Sequence, residues 1–185
     1  VLFRSNCERL TLLVNDLLEL SRIESGQTNL HPCPRTPLEI LEEVEEDWKR
    51  AFAAKKVRFK IQCGKDLPKV LSDPLRTGQI FSNLLENALR FAPSGSLVTV
   101  GADRAENGRM IEFSVQDEGE GIPREKLDRI FERFFRVEAD RAREKGGTGL
   151  GLSIVKHLVQ LHGGSVKAVS DLGTGTKVIV SLCVA

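Results

Sequence analysis

Apolar residues recur with helical spacing in some stretches and with strand spacing in others, in an order that never becomes a strict alternation. Two of the helical stretches begin at a capping residue followed by proline, Thr36 with Pro37 and Asp73 with Pro74. The predicted elements are helices at 38–54, 74–91 and 150–162, and strands at 57–62, 97–102, 110–116, 166–169 and 177–184. This mixed order predicts an α/β fold, a two-layer sandwich with one layer of helices on a mixed sheet, rather than a doubly wound fold.

An amphipathic helix is predicted ahead of these elements, at residues 7–25, and it ends at Gly26. Its apolar stripe has nothing nearby in the sequence to pack on, so we expect a helical partner from another chain or from upstream sequence. The prolines of 28–37 predict a linker. The predicted organisation is an appended helix at 1–27, a linker at 28–37 and one globular domain at 38–185.

Charge and cysteine content exclude several kinds of partner. Lysine and arginine number 27 and aspartate and glutamate 26, so the net charge of +1 offers no basic field to nucleic acid or to an anionic membrane. The four cysteines lie far apart without a CxxC pair, which indicates reduced cytosolic thiols rather than a zinc site. No stretch reaches the roughly 20 apolar residues that a membrane span needs, so a soluble domain is expected.

Four clusters rich in glycine or asparagine stand out between and within the predicted elements. They are Asn83–Asn87, Asp117–Gly121, Gly147–Gly151 and Gly173–Thr176. Asn83 and Asn87 are four residues apart, so both amides project from one helical face, where an amide oxygen joined by phosphate oxygens would suit Mg²⁺. Hydrated surface amides would give the same pattern, so this cluster alone leaves both interpretations open.

Asp117 follows a predicted strand and precedes Gly119 and Gly121, whose main chain a flat ligand could approach closely. A carboxylate at this point would accept a hydrogen bond from the exocyclic amine of adenine and would repel the carbonyl of guanine. A solvated aspartate in a plain loop is the alternative interpretation.

Gly147–Gly151 opens the predicted helix at 150–162. Exposed amides at a helix N-terminus, with little side-chain bulk around them, would bind a di- or triphosphate. The spacing of this cluster matches neither the P-loop nor the Rossmann fingerprint. It therefore predicts an anion site outside the common nucleotide motifs.

Taken together and in this order, the four clusters resemble the N, G1, G2 and G3 boxes of the sensor histidine kinase catalytic domain, with Phe131–Phe135 as its F box. Residues 14–26 resemble the end of that family's second dimerisation helix, and 156–164 are similar to members close to the phosphate-sensing PhoR-type kinases. The resemblance covers nearly the whole chain. It implies the α/β sandwich shared with DNA gyrase and the heat-shock chaperone ATPases, and it implies ATP and Mg²⁺ as cofactors.

The resemblance also implies roles for individual residues, with Asn87 binding Mg²⁺ and Asp117 reading adenine. The residues implied to bind the nucleotide are Asn83, Asn87, Arg90, Phe91, Asp117, Gly119, Gly121, Gly147, Thr148, Gly149, Leu150, Gly151, Gly173, Gly175 and Thr176. The residues implied to act in phosphoryl transfer are Asn83, Arg90, Arg136 and Arg141. Arg136 and Arg141 belong to 132–146, a segment rich in both charge signs that is similar to the family's mobile ATP lid. Ala92 departs from the family, which often carries threonine or serine there.

The residue at position 83 separates a kinase from a hydrolase. Members of the gyrase and chaperone branch have a water-activating glutamate here, whereas the amide of Asn83 cannot accept a proton from water. Glu86, the nearest carboxylate, weakens this distinction slightly. The expected reaction is in-line attack on the γ-phosphorus by a neutral imidazole nitrogen.

None of the three histidines, His31, His157 and His162, lies in an acceptor motif. The resemblance places the acceptor on the first dimerisation helix, upstream of Val1, so this polypeptide is not expected to phosphorylate itself. Three alternatives are a serine kinase of the anti-sigma type, a superfamily ATPase and a sensor module without ATP binding. The leading amphipathic helix and the long lid argue against the serine kinase, and the amide of Asn83 argues against the ATPase. The unbroken boxes argue against a module that has lost ATP binding.

Partners and location follow from the same resemblance. The expected partners are a response regulator receiver domain and the protein's own dimerisation domain, in a homodimer. No nucleic acid is expected, and a membrane only through upstream segments. The expected location is cytoplasmic, as one domain of a bacterial protein anchored in the inner membrane. The expected function of that protein is to pass the γ-phosphate of ATP to a histidine and then to an aspartate of the response regulator.

Overall fold

The computed structural model describes residues 2–106, 108–137 and 147–185. The helices are α1 (Leu2–Glu24), α2 (Pro37–Ala54), α3 (Pro74–Phe91), a 3₁₀ helix (Arg124–Phe131) and α4 (Gly151–Leu161). The strands are β1 (Cys33–Arg35), β2 (Arg58–Cys63), β3 (Val70–Ser72), β4 (Leu97–Arg104), β5 (Met110–Gln116), β6 (Ser165–Asp171) and β7 (Gly175–Cys183). The predicted sandwich of helices on a mixed sheet, preceded by an amphipathic helix, is confirmed.

The main sheet has five strands in the order β2-β4-β5-β7-β6. β2 and β4 run parallel, and every other neighbouring pair in this sheet is antiparallel. Alternate side chains of the central strands are buried, as Val100 on β4 and Phe113 on β5 show. The Phe113 ring meets that of Phe81 on α3 edge-on, with centroids 5.8 Å apart. The core therefore lies between one face of the sheet and the helices.

Capping contacts confirm both predicted helix starts. At α2, the Thr36 hydroxyl accepts from the Glu39 amide, and the Glu39 carboxylate accepts from the Thr36 amide, which makes a capping box. At α3, the Asp73 carboxylate accepts from the Arg76 amide at 3.0 Å, and Pro74 occupies the first turn. These caps fix where α2 and α3 begin.

The predicted linker at 28–37 is not wholly irregular, because β1 lies within it and pairs antiparallel with β3. Neither strand was predicted from the sequence. Pro34 has no amide hydrogen to donate, and a strand of three residues is too short to show alternation. The 3₁₀ helix also lacks a periodic signal, since Ile130 is its one buried side chain. The limits given above for helix, linker and domain stay predictions.

The last turns of α1 pack on the globular domain against α4. Leu20 and Ile23 are only 2% and 5% exposed. The expectation that the whole apolar stripe needs a helical partner is therefore wrong at its C-terminal end, because local periodicity does not reveal contact with α4. Among the upstream side chains that the structure describes, the exposed apolar ones are Leu10, Leu12, Val14, Leu17 and Leu18. Among the helices described, none combines the length and the apolar character needed to cross a bilayer.

Candidate nucleotide-binding site

The second half of α3 lies against the glycine loop that leads into α4. Nδ2 of Asn83 donates to the main-chain oxygen of Gln79 at 3.0 Å. Oδ1 of Asn83 faces the loop, because a Cβ built on Gly151 would come within 2.6 Å of it. Near the C-terminal end of α3, the Arg90 guanidinium lies so close to Gly147 that a side chain at position 147 would overlap it. The N and G2 boxes, 60 or so residues apart in sequence, thus form two adjoining walls.

Asn87 lies between these two contacts on the same face of α3. It is half-buried, and its side chain hydrogen-bonds to no other residue within the described ranges. In those ranges, no group of three His, Cys, Asp or Glu side chains could hold a metal ion. An amide oxygen is a hard ligand of the kind that Mg²⁺ accepts, and the role of Asn87 as a magnesium ligand stays a prediction.

Lysine contacts stabilise the end of α3, where the aromatic residue of the predicted site lies. Nζ of Lys55 donates to the main-chain oxygens of Leu89 and Arg90, two carbonyls that the helix itself leaves without partners. Phe91, the last residue of α3, is 38% exposed. This role of Lys55 was not predicted, because the two helix ends meet only in the folded chain.

Asp117 sits immediately after β5 and is only 9% exposed. Its amide donates to the Thr176 carbonyl at 2.9 Å, and its Oδ1 accepts from the Gly119 amide at 2.8 Å. Burial raises the pKa of Asp117 above that of an ordinary aspartate, and the hydrogen bond from Gly119 acts in the opposite direction. A Cβ on Gly119 would lie 2.7 Å from this carboxylate and 3.0 Å from the Phe91 carbonyl, so the G1 box adjoins the end of α3.

The hairpin between β6 and β7 packs tightly on the loop after Asp117. A Cβ on Gly121 would overlap the Asp171 carbonyl, and one on Gly175 would overlap the Asp117 carbonyl. Both glycines are therefore needed for backbone packing, whatever they do for a ligand. Gly173 has a φ of 82° and no neighbouring atom within 4 Å of a Cβ, so it serves the turn.

The loop before α4 uses the conformational freedom of its glycines, with φ of 101° at Gly147 and 76° at Gly149. The Thr148 hydroxyl donates to Oδ2 of Asp16 on α1 at 2.6 Å and accepts from the Leu150 amide at 3.2 Å. The Leu150 side chain is fully buried, so only its main chain could meet a nucleotide. No side chain among the described residues caps α4, which leaves its first amides suited to an anion.

The F box is bound to this loop. The Phe134 amide donates to the Gly149 carbonyl at 2.9 Å, and Phe134 itself has a φ of 59°, which is unusual for a bulky residue. Of the two lid arginines predicted to meet the γ-phosphate, Arg136 is half-buried and interacts with other parts of the protein. Arg141 lies outside the described residues, as does the rest of 138–146.

The two histidines near α4 make structural contacts. Nδ1 of His157 donates to the Ser153 carbonyl and Nδ1 of His162 to the Leu158 carbonyl, each at 2.7 Å. Nε2 of His162 accepts from the Asp73 amide at 3.1 Å. These bonds occupy three of the four ring nitrogens, which supports the interpretation of both rings as structural rather than phosphoacceptor groups.

A cavity of about 750 Å³ lies away from all these clusters. It is formed by the end of α1, the segment after it and the start of α3, and Arg22, His31 and Asp73 are among its lining residues. None of the predicted nucleotide-binding residues lines it. The candidate site is defined instead by the convergence of the four boxes.

Known proteins match this chain over most of its length. A family profile described as "Histidine kinase-, DNA gyrase B-, and HSP90-like ATPase" matches residues 72–185. The alginate biosynthesis sensor protein KinB of Pseudomonas aeruginosa is 37% identical over 169 residues, which cover 91% of this chain and 27% of KinB. The sensor histidine kinase WalK of Bacillus subtilis is 36% identical over 183 residues, which cover 97% of this chain and 29% of WalK.

Among solved structures, the crystal structure of full-length ShkA in complex with AMPPNP has a TM-score of 0.84 and 31% identity. The match covers 98% of this chain and 38% of ShkA. The chain belongs to the family of histidine kinase-, DNA gyrase B- and HSP90-like ATPases. The resemblance to the catalytic ATP-binding domain of sensor histidine kinases is confirmed, and the chain spans less than a third of the length of KinB and WalK.

Proposed function

We propose that this domain binds Mg-ATP and transfers the γ-phosphoryl group to a histidine on a dimerisation helix, from which it passes to an aspartate of a response regulator. The observation that carries the proposal is the contact between α3 and the glycine loop, where Asn83 meets Gly151 and Arg90 meets Gly147. A side chain at Gly147 or Gly151 would displace Arg90 or Asn83, and with glycine at both positions the main-chain amides, the N-terminal dipole of α4 and the Arg90 cation lie side by side. This combination suits a triphosphate.

Two further residues distinguish the ends of the nucleotide. Asn87 would direct its amide oxygen to Mg²⁺, which supplies neutralisation of the phosphate charge when bound. Asp117, at the opposite end of the cleft, would accept a hydrogen bond from the exocyclic amine of adenine. The Gly119 amide holds the Asp117 carboxylate in place. The cleft is thereby polarised, with purine at Asp117 and phosphates at α4.

Kinase chemistry is favoured over hydrolysis by the contacts of Asn83. Its amide nitrogen is already bonded to Gln79, and its oxygen lies against Gly151, so it holds the loop rather than a water molecule. Glu86 is exposed to solvent, unlike the half-buried Asn83 and Asn87. The chain's own residues would therefore position the γ-phosphate without supplying a base to activate water.

The exposed part of α1 supports the proposed partners. Five apolar side chains of this helix are between 49% and 63% exposed, which is the expected surface for helix pairing in a homodimer. A serine kinase of the anti-sigma type has no evident use for such a helix. We propose further that the domain is cytoplasmic, in a bacterial protein that reaches the membrane through other segments.

The adenine assignment predicts that Asp117→Asn weakens binding of ATP and of ADP by the same factor, about tenfold to a hundredfold, because both share the adenine contact. The exposed carboxylate Asp103 provides the matched control, and Asp103→Asn should leave both affinities unchanged. Titration calorimetry gives the two dissociation constants. A variant that lost affinity for ATP alone would instead place Asp117 near the phosphates.

The same substitution should make the nucleotide-free domain more stable. A carboxyl whose folded pKa is raised favours folding only while it is protonated, so its contribution is lost as pH rises through that pKa. At pH 7.5, Asp117→Asn removes this buried charge and should raise Tm by about 2–4 °C. The difference from wild type should shrink as pH falls towards 3.8, the ordinary aspartate value. Thermal melts without nucleotide over this pH range measure it, and a Tm difference independent of pH would contradict it.

A further inference from the structure

Ser170 on β6 has a buried hydroxyl that joins the G1 loop to the hairpin bearing the G3 box. The residue is 6% exposed. Its Oγ accepts from the Ile122 amide at 2.8 Å, donates to the Gly175 carbonyl at 2.6 Å and lies 3.0 Å from the Thr176 hydroxyl. A hydroxyl has one donor and two acceptor positions, so the three bonds use its full capacity when Thr176 donates.

The groups bound to Ser170 lie on both sides of Asp117. Ile122 is in the loop that follows Asp117, whereas Gly175 packs its main chain directly on the Asp117 carbonyl. The Thr176 carbonyl accepts a hydrogen bond from the Asp117 amide. Any movement of the hairpin relative to the loop would therefore displace the Asp117 carboxylate. Ser170 opposes this movement from a buried position, whereas the ion pair between Arg124 and Asp171, 2.8 Å long, opposes it at the exposed surface.

We propose that Ser170 is a positioning residue for purine recognition, which sets the place of the Asp117 carboxylate and hence the preference for ATP over GTP. This inference rests on the proposed function, since it assigns the source of specificity within the same cleft. Within the described residues, Ser170 touches neither Asn87 nor Arg90, so the phosphate end of the cleft does not depend on it.

Removing the Ser170 hydroxyl is expected to affect binding at the purine end of the site and not at the phosphate end. Ser170→Ala leaves the Ile122 amide and the Gly175 carbonyl without their partner, in a buried place that water enters poorly. The expected result is an ATP affinity about tenfold lower, an ATP-to-GTP preference reduced by a similar factor, and an unchanged affinity for Mg-tripolyphosphate, which has no purine. A purely structural role would lower Tm and weaken all three ligands together.

The control is Ser165→Ala, at the exposed start of the same strand, which should bind all three ligands as wild type does. If the wild-type protein fails to bind ATP, the proposed function itself is overturned. If the wild-type protein binds ATP and folded Ser170→Ala keeps the same ATP-to-GTP preference, only the role of Ser170 is overturned. If the alanine variant does not fold, Ser170→Cys, with a weakly bonding thiol of similar size, takes its place. Amide exchange in wild type adds a test without mutation: slow exchange at Ile122 supports the bond, and fast exchange there contradicts it.

Discussion

Asn87→Ala is expected to abolish magnesium-dependent nucleotide binding, with a loss of affinity for Mg-ATP of about a hundredfold or more. The substitution removes the amide oxygen on the face of α3 that meets the glycine loop, while alanine is the residue most compatible with a helix. Calorimetry with Mg-ATP, and again with ATP in the presence of a chelator, separates the metal contribution. The variant and wild type should differ greatly in the first titration and little in the second.

Glu86 offers the matched control for that experiment. It precedes Asn87 on α3 but is exposed to solvent, so Glu86→Ala should retain the affinity of wild type for Mg-ATP. The same variant tests the remaining hydrolytic alternative, because any slow ATP hydrolysis that used this carboxylate would disappear with it. Unchanged Mg-ATP affinity in a folded Asn87→Ala protein would show that the magnesium ligand lies elsewhere.

Local signals explain why much of the fold was predictable from sequence. Asp73 and Pro74 predict the start of α3, and the observed helix begins there. The capping hydrogen bond joins residues only three positions apart. Asp117 stands out because it directly follows an alternating strand and is followed within four residues by Gly119 and Gly121. Such features need no knowledge of the distant chain.

Contacts between distant segments explain what the sequence could not show. β1 pairs with β3 across more than 30 residues of chain, and Pro34 within it argues against a strand. The hydrogen bond from Thr148 to Asp16 joins residues 132 apart. Ser170 occupies a strand position where serine is unremarkable, and its importance appears only once Ile122, 48 residues away, is seen to donate to it.

Docking of α1 on the domain also changes how the helix should be truncated. Leu20 and Ile23 belong to the core, and burying side chains of this size contributes at most about 1.5–3 kcal/mol each to stability. Deleting residues 1–26 would uncover that surface. Deleting only 1–14 removes Leu10, Leu12 and Val14, three of the exposed apolar residues, and keeps the core contacts intact.

Phosphoryl transfer should be separable from nucleotide binding in this polypeptide. It is expected to bind Mg-ATP but to acquire no phosphohistidine, because His157 and His162 are held in structural contacts and His31 has no acceptor motif. A dimerisation hairpin that carries an acceptor histidine, supplied in trans, should become labelled from γ-labelled ATP. The rate should be roughly a thousandfold lower than in a tethered enzyme, since a micromolar partner replaces a millimolar effective concentration.

The 1–14 deletion should raise the rate of this trans reaction, because self-association through the exposed stripe would compete with binding of the added hairpin. Its affinity for Mg-ATP should stay that of the longer polypeptide, which serves as the control for intact folding. Acid treatment identifies the product, since phosphohistidine is acid-labile and phosphoserine is not. Acid-labile label on the isolated polypeptide would mean that His31, His157 or His162 is an acceptor, and acid-stable label on a partner protein would replace the histidine kinase proposal with a serine kinase.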